Sequence, residues 1–214
     1  HQTEVLQIGG RAGRFNTQYH NGYVSVMYNQ EDLEFVSQQF QQPLPPMSQA
    51  QLLPTTDHLL AFCERFPHIK FSDYLLSLSS HAKVNSQFKI GDVSTMTQLA
   101  QVIDDIAMPS YNRVMLAYAP LSIERFASHR ALLRELAEHL VLDEPIPIPK
   151  IAYVARPQMP SSPEEVAKLE ETFTNLEAYI WLWYRLGDQL YMHRQAKLDR
   201  ESCQRIILEY LMSS

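Results

Sequence analysis

Proline and glycine partition this chain more firmly than any other residue types, because proline breaks a helix and glycine weakens one. Of six glycines, Gly9, Gly10, Gly13 and Gly22 lie in the first 22 positions, and only Gly91 and Gly187 follow. Prolines crowd into 43–54 and 143–163. Pro145, Pro147, Pro149, Pro157 and Pro160 exclude a helix there and predict an extended connector along the surface. The blocks between these breaks carry helical spacing, and helices are expected over 31–40, 55–66, 71–81, 94–106, 109–119, 122–142, 163–186 and 199–212. Thr55 or Thr56 suits one N-cap and Ser94 or Thr95 another, while Pro163, Glu164 and Glu165 suit a helix start and Gly187 a stop. Residues 2–7 read as a loop end or the start of a short helix. Tyr23–Tyr28 alternates, is rich in β-branched and aromatic residues and follows Asn21-Gly22, so it is expected to be a strand. The expected fold class is mainly α.

Hydrophobic residues make up 45% of the chain, enough for a sizeable core, and the net charge of -6 argues against a broad basic face that grips nucleic acid by charge alone. A narrow groove with a few arginines remains compatible with that charge. Cys63 and Cys203 make neither a metal-ligand spacing nor a disulfide framework, which fits a reducing compartment. No apolar run approaches the roughly 18–20 residues of a membrane span. The first 20 residues are polar and do not have the pattern of a signal peptide.

The sharpest motif is Gln7-Ile8-Gly9-Gly10-Arg11-Ala12-Gly13-Arg14, of the form Q-x-x-G-R-x-G-R. Two arginines three apart place two guanidinium forks on one face of a helical turn, and Gly10 and Gly13 let another surface approach closely. That suits phosphate oxygens, where bidentate arginine stabilises a transferring phosphoryl group. A Gly/Arg-rich surface turn accounts for the same residues.

The segment resembles the sixth conserved motif of superfamily-two helicases. In the form Gln-Ile-x-Gly-Arg-Ala-Gly-Arg-Phe it looks like the suppressor-of-Var RNA helicases, the mitochondrial degradosome helicase family and its bacterial relatives. Gly22-Tyr23-Val24-Ser25-Val26-Met27 and Glu31-Asp32-Leu33 resemble the strand and helix that follow the motif in that family. Arg113 followed by Ala119-Pro120-Leu121 resembles its Arg…Ala-Pro-hydrophobic segment, and Leu176–Arg185 its helix Leu-x-x-Tyr-x-Trp-Leu-x-Tyr-Arg. The resemblance covers nearly the whole chain, though 38–110 match only loosely.

The resemblance implies that Gln7 helps place the γ-phosphate and attacking water, that Arg14 is the arginine finger, and that Arg11, with Gly10 and Gly13, supports the nucleotide and the interface between two RecA-like domains. ATP and Mg2+ would serve the full-length enzyme; none is expected bound to this chain alone, because no G-x-x-x-x-G-K-[S/T] loop occurs in it. The expected organisation is a remnant of the second RecA-like α/β domain over 1–30, a helical accessory domain over 31–142, a Pro-rich connector over 143–163 and a C-terminal helical segment over 164–214. The chain thus reads as a C-terminal piece of a 3′-to-5′ RNA helicase acting in RNA degradation, not catalytic by itself. Implied partners are single-stranded RNA, an exoribonuclease, the missing N-terminal RecA-like domains, and a second copy paired through the orphan strand 23–28, with no membrane. The implied location is a bacterial cytoplasm or a mitochondrial matrix. The alternative is a helical protein-interaction scaffold without helicase activity.

Leu140-Val141-Leu142-Asp143-Glu144 imitates a magnesium-binding strand, but it follows the helicase motif instead of preceding it and continues a helical pattern, so a helix end is expected. Tyr179, Trp181, Trp183 and Tyr184 offer rings for base stacking, but their helical spacing favours packing. His193, Arg194, Lys197, Arg200 and Arg205, interleaved with Asp199 and Glu201, favour a solvated helix face over a phosphate contact. The eight histidines form no metal-ligand pair, and no nucleophilic triad emerges.

Overall fold

A computed structural model describes residues 2–12, 22–26, 30–44, 46, 48–148 and 159–213. Among these, helices dominate, as proline and glycine partitioning predicts, and the chain forms two compact units, His1–Ala50 and Gln51–Ser214. No helix of the described residues is long and apolar enough to cross a membrane.

The first unit holds α1 (Gln2–Gly9) and α2 (Gln30–Gln41). The Gln2 amide donates to the carbonyls of Gln39 and Gln42 at 3.2 and 2.9 Å, closing the end of α2, where carbonyls lack helical partners. Residues 22–26 form no strand, while 27–28 lie outside the described residues. A strand exists only through ladder bonds to a neighbour, and none is available among the described residues.

The second unit contains α3 (Thr56–Arg65), α4 (Phe71–His81), α5 (Ser94–Ile103), α6 (Ser110–Ala117), α7 (Ser128–Leu142), α8 (Pro163–Leu186) and α9 (His193–Ser213). Two short strands, β1 (Ala50–Leu52) and β2 (Phe88–Ile90), pair with each other. Leu59, Phe71, Leu75, Ala100 and Val114 form one cluster among α3–α6. The larger cluster joins α5 and α7 to α8 and α9 through Leu99, Ile103, Leu133, Leu136, Leu176, Tyr179, Cys203 and Ile206.

Local chemistry sets the ends. Thr55 Oγ1 accepts the His58 amide and caps α3. Neither Ser94 nor Thr95 caps α5; the Asp92 carboxylate does so, accepting the Ser94 amide at 2.8 Å. Helix α7 begins at Ser128, later than the expected 122; residues 122–127 turn instead, with the Ser122 amide donating to His129 Nδ1 at 2.9 Å. Asp143 then ends α7 in the left-handed region (φ 53°), which Asp tolerates better than most residues. Ser162 caps α8, Pro163 starts it, and Gly187 (φ 76°) stops it at a conformation that suits glycine. Helix α9 starts at His193, earlier than 199, since Ala196 packs into the core and orders a turn whose other residues are polar.

Candidate functional site

Helix α1 carries Gln7 and ends at Gly9; Gly10, Arg11 and Ala12 close its last turn through amides bonded to Leu6, Ile8 and Gly9 carbonyls at 2.8, 3.1 and 2.9 Å. Gln7 and Arg11, one turn apart, are both exposed, so an amide and a guanidinium project from one end of α1. Arg11 stands on the closing turn beyond the helix. Gly13 and Arg14 lie outside the described residues. The glycine that admits a neighbour is Gly9: a Cβ there would stand 2.2 Å from the tip of the Phe40 ring. At Gly10 a Cβ would meet the Leu6 carbonyl oxygen at 3.0 Å. Spacing alone could not single out Gly9, because Phe40 is 31 positions away.

An exposed guanidinium and an exposed amide on one end of a helix can meet an anion brought from outside. Among the described residues no group of His, Cys, Asp and Glu could hold a metal ion.

The other segments singled out by sequence lie in the helical unit. Arg113 is a clamp: Nη1 and Nη2 donate to the Ile103 and Ile106 carbonyls at 3.2 and 2.8 Å, beyond the last turn of α5. Arg134 works beside it, donating to the Val102 carbonyl at 2.9 Å and gripping both oxygens of Asp105 at 3.0 and 3.1 Å. Its hydrogen bonds hold the Asp105 carboxyl below the usual range. Ala119 and Leu121 are buried in the core. Leu140-Val141-Leu142 form the end of α7, as expected. Burial pushes both thiols up, Cys63 against the opposing pull of Arg113, so neither is poised as a thiolate.

Helix α8 divides its aromatics. Tyr179 is 1% exposed and its hydroxyl donates to the Ile146 carbonyl at 2.5 Å while accepting the Met192 amide at 3.3 Å. Trp181 and Trp183 are half-buried and Tyr184 is 65% exposed. The basic residues of α9 are likewise split. Arg200 pairs with Glu177 at 3.6 Å, His193 stacks on Trp183, and Lys197 donates to the Tyr184 hydroxyl at 3.1 Å. Arg194 and Arg205 face solvent. Packing thus accounts for Tyr179, and a surface contact remains open to Tyr184.

No family model matches the chain. It is 26% identical over 209 residues to the mitochondrial DExH-box ATP-dependent RNA helicase DExH16 of Arabidopsis thaliana, covering 98% of this chain. Identity is 27% over 211 residues, 99% of this chain, to the mitochondrial ATP-dependent RNA helicase SUV3 of Oryza sativa. It is 27% over 201 residues to the mitochondrial ATP-dependent RNA helicase SUPV3L1 of Homo sapiens.

Over nearly its whole length the chain is similar to suppressor-of-Var RNA helicases.

The chain spans 36% of the length of the Arabidopsis and rice relatives and 25% of the human one. The likeness runs through both compact units, so it takes in both the Gln7–Arg14 motif and the aromatic helix α8.

Proposed function

We propose that this chain is the C-terminal portion of an ATP-dependent RNA helicase that moves 3′ to 5′ along single-stranded RNA and feeds its degradation. Likeness over 98–99% of the chain to relatives named as ATP-dependent RNA helicases carries the proposal. The motif Gln7–Arg14 supports it chemically, through two arginines, an amide and small residues suited to phosphate. ATP, when bound, supplies the phosphoryl transfer that drives movement. From this chain, Arg14 places a guanidinium against the charge developing on the γ-phosphate, Gln7 orients the attacking water, and Arg11 with Gly10 and Gly13 supports the nucleotide cleft. The segment 1–30 is then the end of the second RecA-like domain, and the groups that cradle the phosphates and Mg2+ come from the domains before it. The 214 residues alone do not turn over ATP. An exoribonuclease is the proposed partner and the mitochondrial matrix the proposed location, in keeping with the relatives' mitochondrial names.

The test is Arg14→Ala in the full-length protein. RNA-stimulated ATP hydrolysis should fall by about 10³-fold or more, as for other arginine fingers, with ATP binding largely kept. Turnover that survives the change overturns the finger assignment. Absence of any RNA-stimulated hydrolysis in the unmodified full-length protein overturns the helicase proposal and leaves the interaction scaffold.

A further inference from the structure

The corner where α8 meets α9 concentrates aromatic rings and cations. Both tryptophans of the chain, Trp181 and Trp183, lie there. The Lys197 ammonium sits 4.6 Å from the Trp183 ring centre and 5.0 Å from that of Tyr184. His193 stacks on Trp183 at 4.0 Å with the planes 7° apart. The Arg185 guanidinium carbon lies 3.4 Å from the Trp181 ring centre, and Arg185 Nη1 also donates to the Trp181 carbonyl.

Charge separates this corner from four other arginines of the helical unit. Arg113, Arg125, Arg134 and Arg200 each face a carboxylate. Among the described residues, Arg185 and Lys197 pair with none, and rings hold them in place. A cation over a ring keeps its charge, so it can still meet an anion from outside. Tyr184, with Lys197 on its hydroxyl, presents an exposed ring beside these charges. The ligand that uses both features is a polyanion with flat rings at regular intervals.

We infer that the α8–α9 corner contacts single-stranded nucleic acid, Tyr184 stacking a base while Lys197 and Arg185 meet the phosphates. The inference rests on the RNA-helicase function proposed above and adds where the helical unit touches the strand. Stacking accepts any base, which suits a protein that moves along RNA. With a net charge of -6 on the chain, binding has to come from such a local cluster.

Because both tryptophans sit in the corner, the indole emission of the chain reports on it alone. The chain is titrated with a labelled uridine oligonucleotide of about 8 nucleotides, reading its anisotropy and the indole emission together, with polyglutamate as a ringless polyanion. The oligonucleotide should bind and quench the emission, and polyglutamate should do neither. Tyr184→Ala should weaken binding about tenfold. Lys197→Ala should lower the slope of log affinity on log salt by about 0.7. Unchanged circular dichroism and thermal midpoint confirm that each variant is folded. Binding unaffected by both substitutions and without quenching overturns the site and leaves the helicase proposal standing. Polyglutamate quenching as strongly as RNA overturns it in favour of an acidic-peptide surface. Absence of binding at low salt overturns it as well, whereas the helicase proposal itself fails only on the full-length ATPase measurement.

Discussion

Replacing Tyr179 with Phe removes one oxygen from the middle of α8 and leaves the ring in place, so no cavity is made. That oxygen joins three pieces of chain. It donates to the Ile146 carbonyl at 2.5 Å, on the extended segment after α7, and accepts the Met192 amide at 3.3 Å, just before α9. Ile146 keeps its other bond, its amide donating to the Gln189 carbonyl at 2.7 Å. In Tyr179→Phe the Ile146 carbonyl is left buried without a donor, costing about 1–3 kcal/mol, and the longer Met192 bond adds about 0.5–1 kcal/mol. The expected loss is about 2–3 kcal/mol. For a urea m-value of about 2 kcal/mol/M, the midpoint followed by indole emission falls by about 1 M with m unchanged. Tyr191→Phe, at an exposed ring, should stay within about 0.5 kcal/mol of the parent. Burial also pushes the Tyr179 hydroxyl up to about 12 from 10. Between those values the unfolded chain releases this proton and the folded chain keeps it. The contribution is therefore full below about pH 10 and is lost as pH rises toward about 12, a limb Tyr179→Phe should lack. A variant as stable as Tyr191→Phe would refute the junction.

His129 is fully buried, with Nδ1 accepting the Ser122 amide, and burial holds its pKa below the ordinary 6.5 despite the pull of Glu171, with Arg125 adding to the depression. Below pH 6.5 the unfolded chain takes up a proton that the folded chain resists, so stability should fall on acidification by up to about 1.4 kcal/mol per pH unit. His129→Gln should flatten that slope in urea midpoints measured across the acid range; equal slopes in both proteins would remove His129 as the cause. Arg113→Met should cost about 2–3 kcal/mol by freeing the Ile103 and Ile106 carbonyls, and Arg113→Lys should recover only part, since one ammonium does not reproduce the two-pronged contact. An unchanged unfolding midpoint for Arg113→Met would show that solvent serves those carbonyls as well.

Helices were legible wherever a cap, an apolar stripe and a stop agreed. In α8, Ser162, Pro163 and Gly187 mark both ends. In α4, Phe71 and Leu75 keep the period while the turn before Phe71 sets the start. What escaped depends on partners distant in sequence. Strands β1 and β2 are three residues each, too short for alternation to register, and exist through each other. The turn before α7 is tied down by the Ser122 amide donating to His129 Nδ1, a contact that no propensity encodes. Tyr23–Val26 has the composition of a strand, yet strand geometry requires a neighbour to bond. At the candidate site, spacing marked the arginines and the resemblance marked Gln7, and the structure leaves Gln7 and Arg11 exposed. Neither marked the ring of Phe40 over Gly9, because close approach depends on the crossing of α1 and α2. Arg113 was visible as part of a family-like segment, but its task as a clamp on α5 appears only when those carbonyls are seen beside it.

The stretch Leu176–Arg185 reads in sequence as one signature, and burial divides it in two. Leu176, Tyr179 and Leu182 follow helical spacing and face inward, where the core and the Tyr179 junction need them. Tyr184 and Arg185 stand outside that requirement: both are exposed, and the core closes without them. An inward residue type is explained by packing, because a polar or smaller group there would leave a void or an unpaired atom. An exposed tyrosine is not, since water would accept almost any residue at that position. Lys197 sharpens the contrast, reaching back from α9 to hold the Tyr184 hydroxyl while its charge stays unmatched among the described carboxylates. Core substitutions on α8 should therefore change stability, and Tyr184 or Lys197 substitutions should change nucleic-acid binding with stability nearly constant. The outward half of the signature is where a binding function for this helix has to be sought.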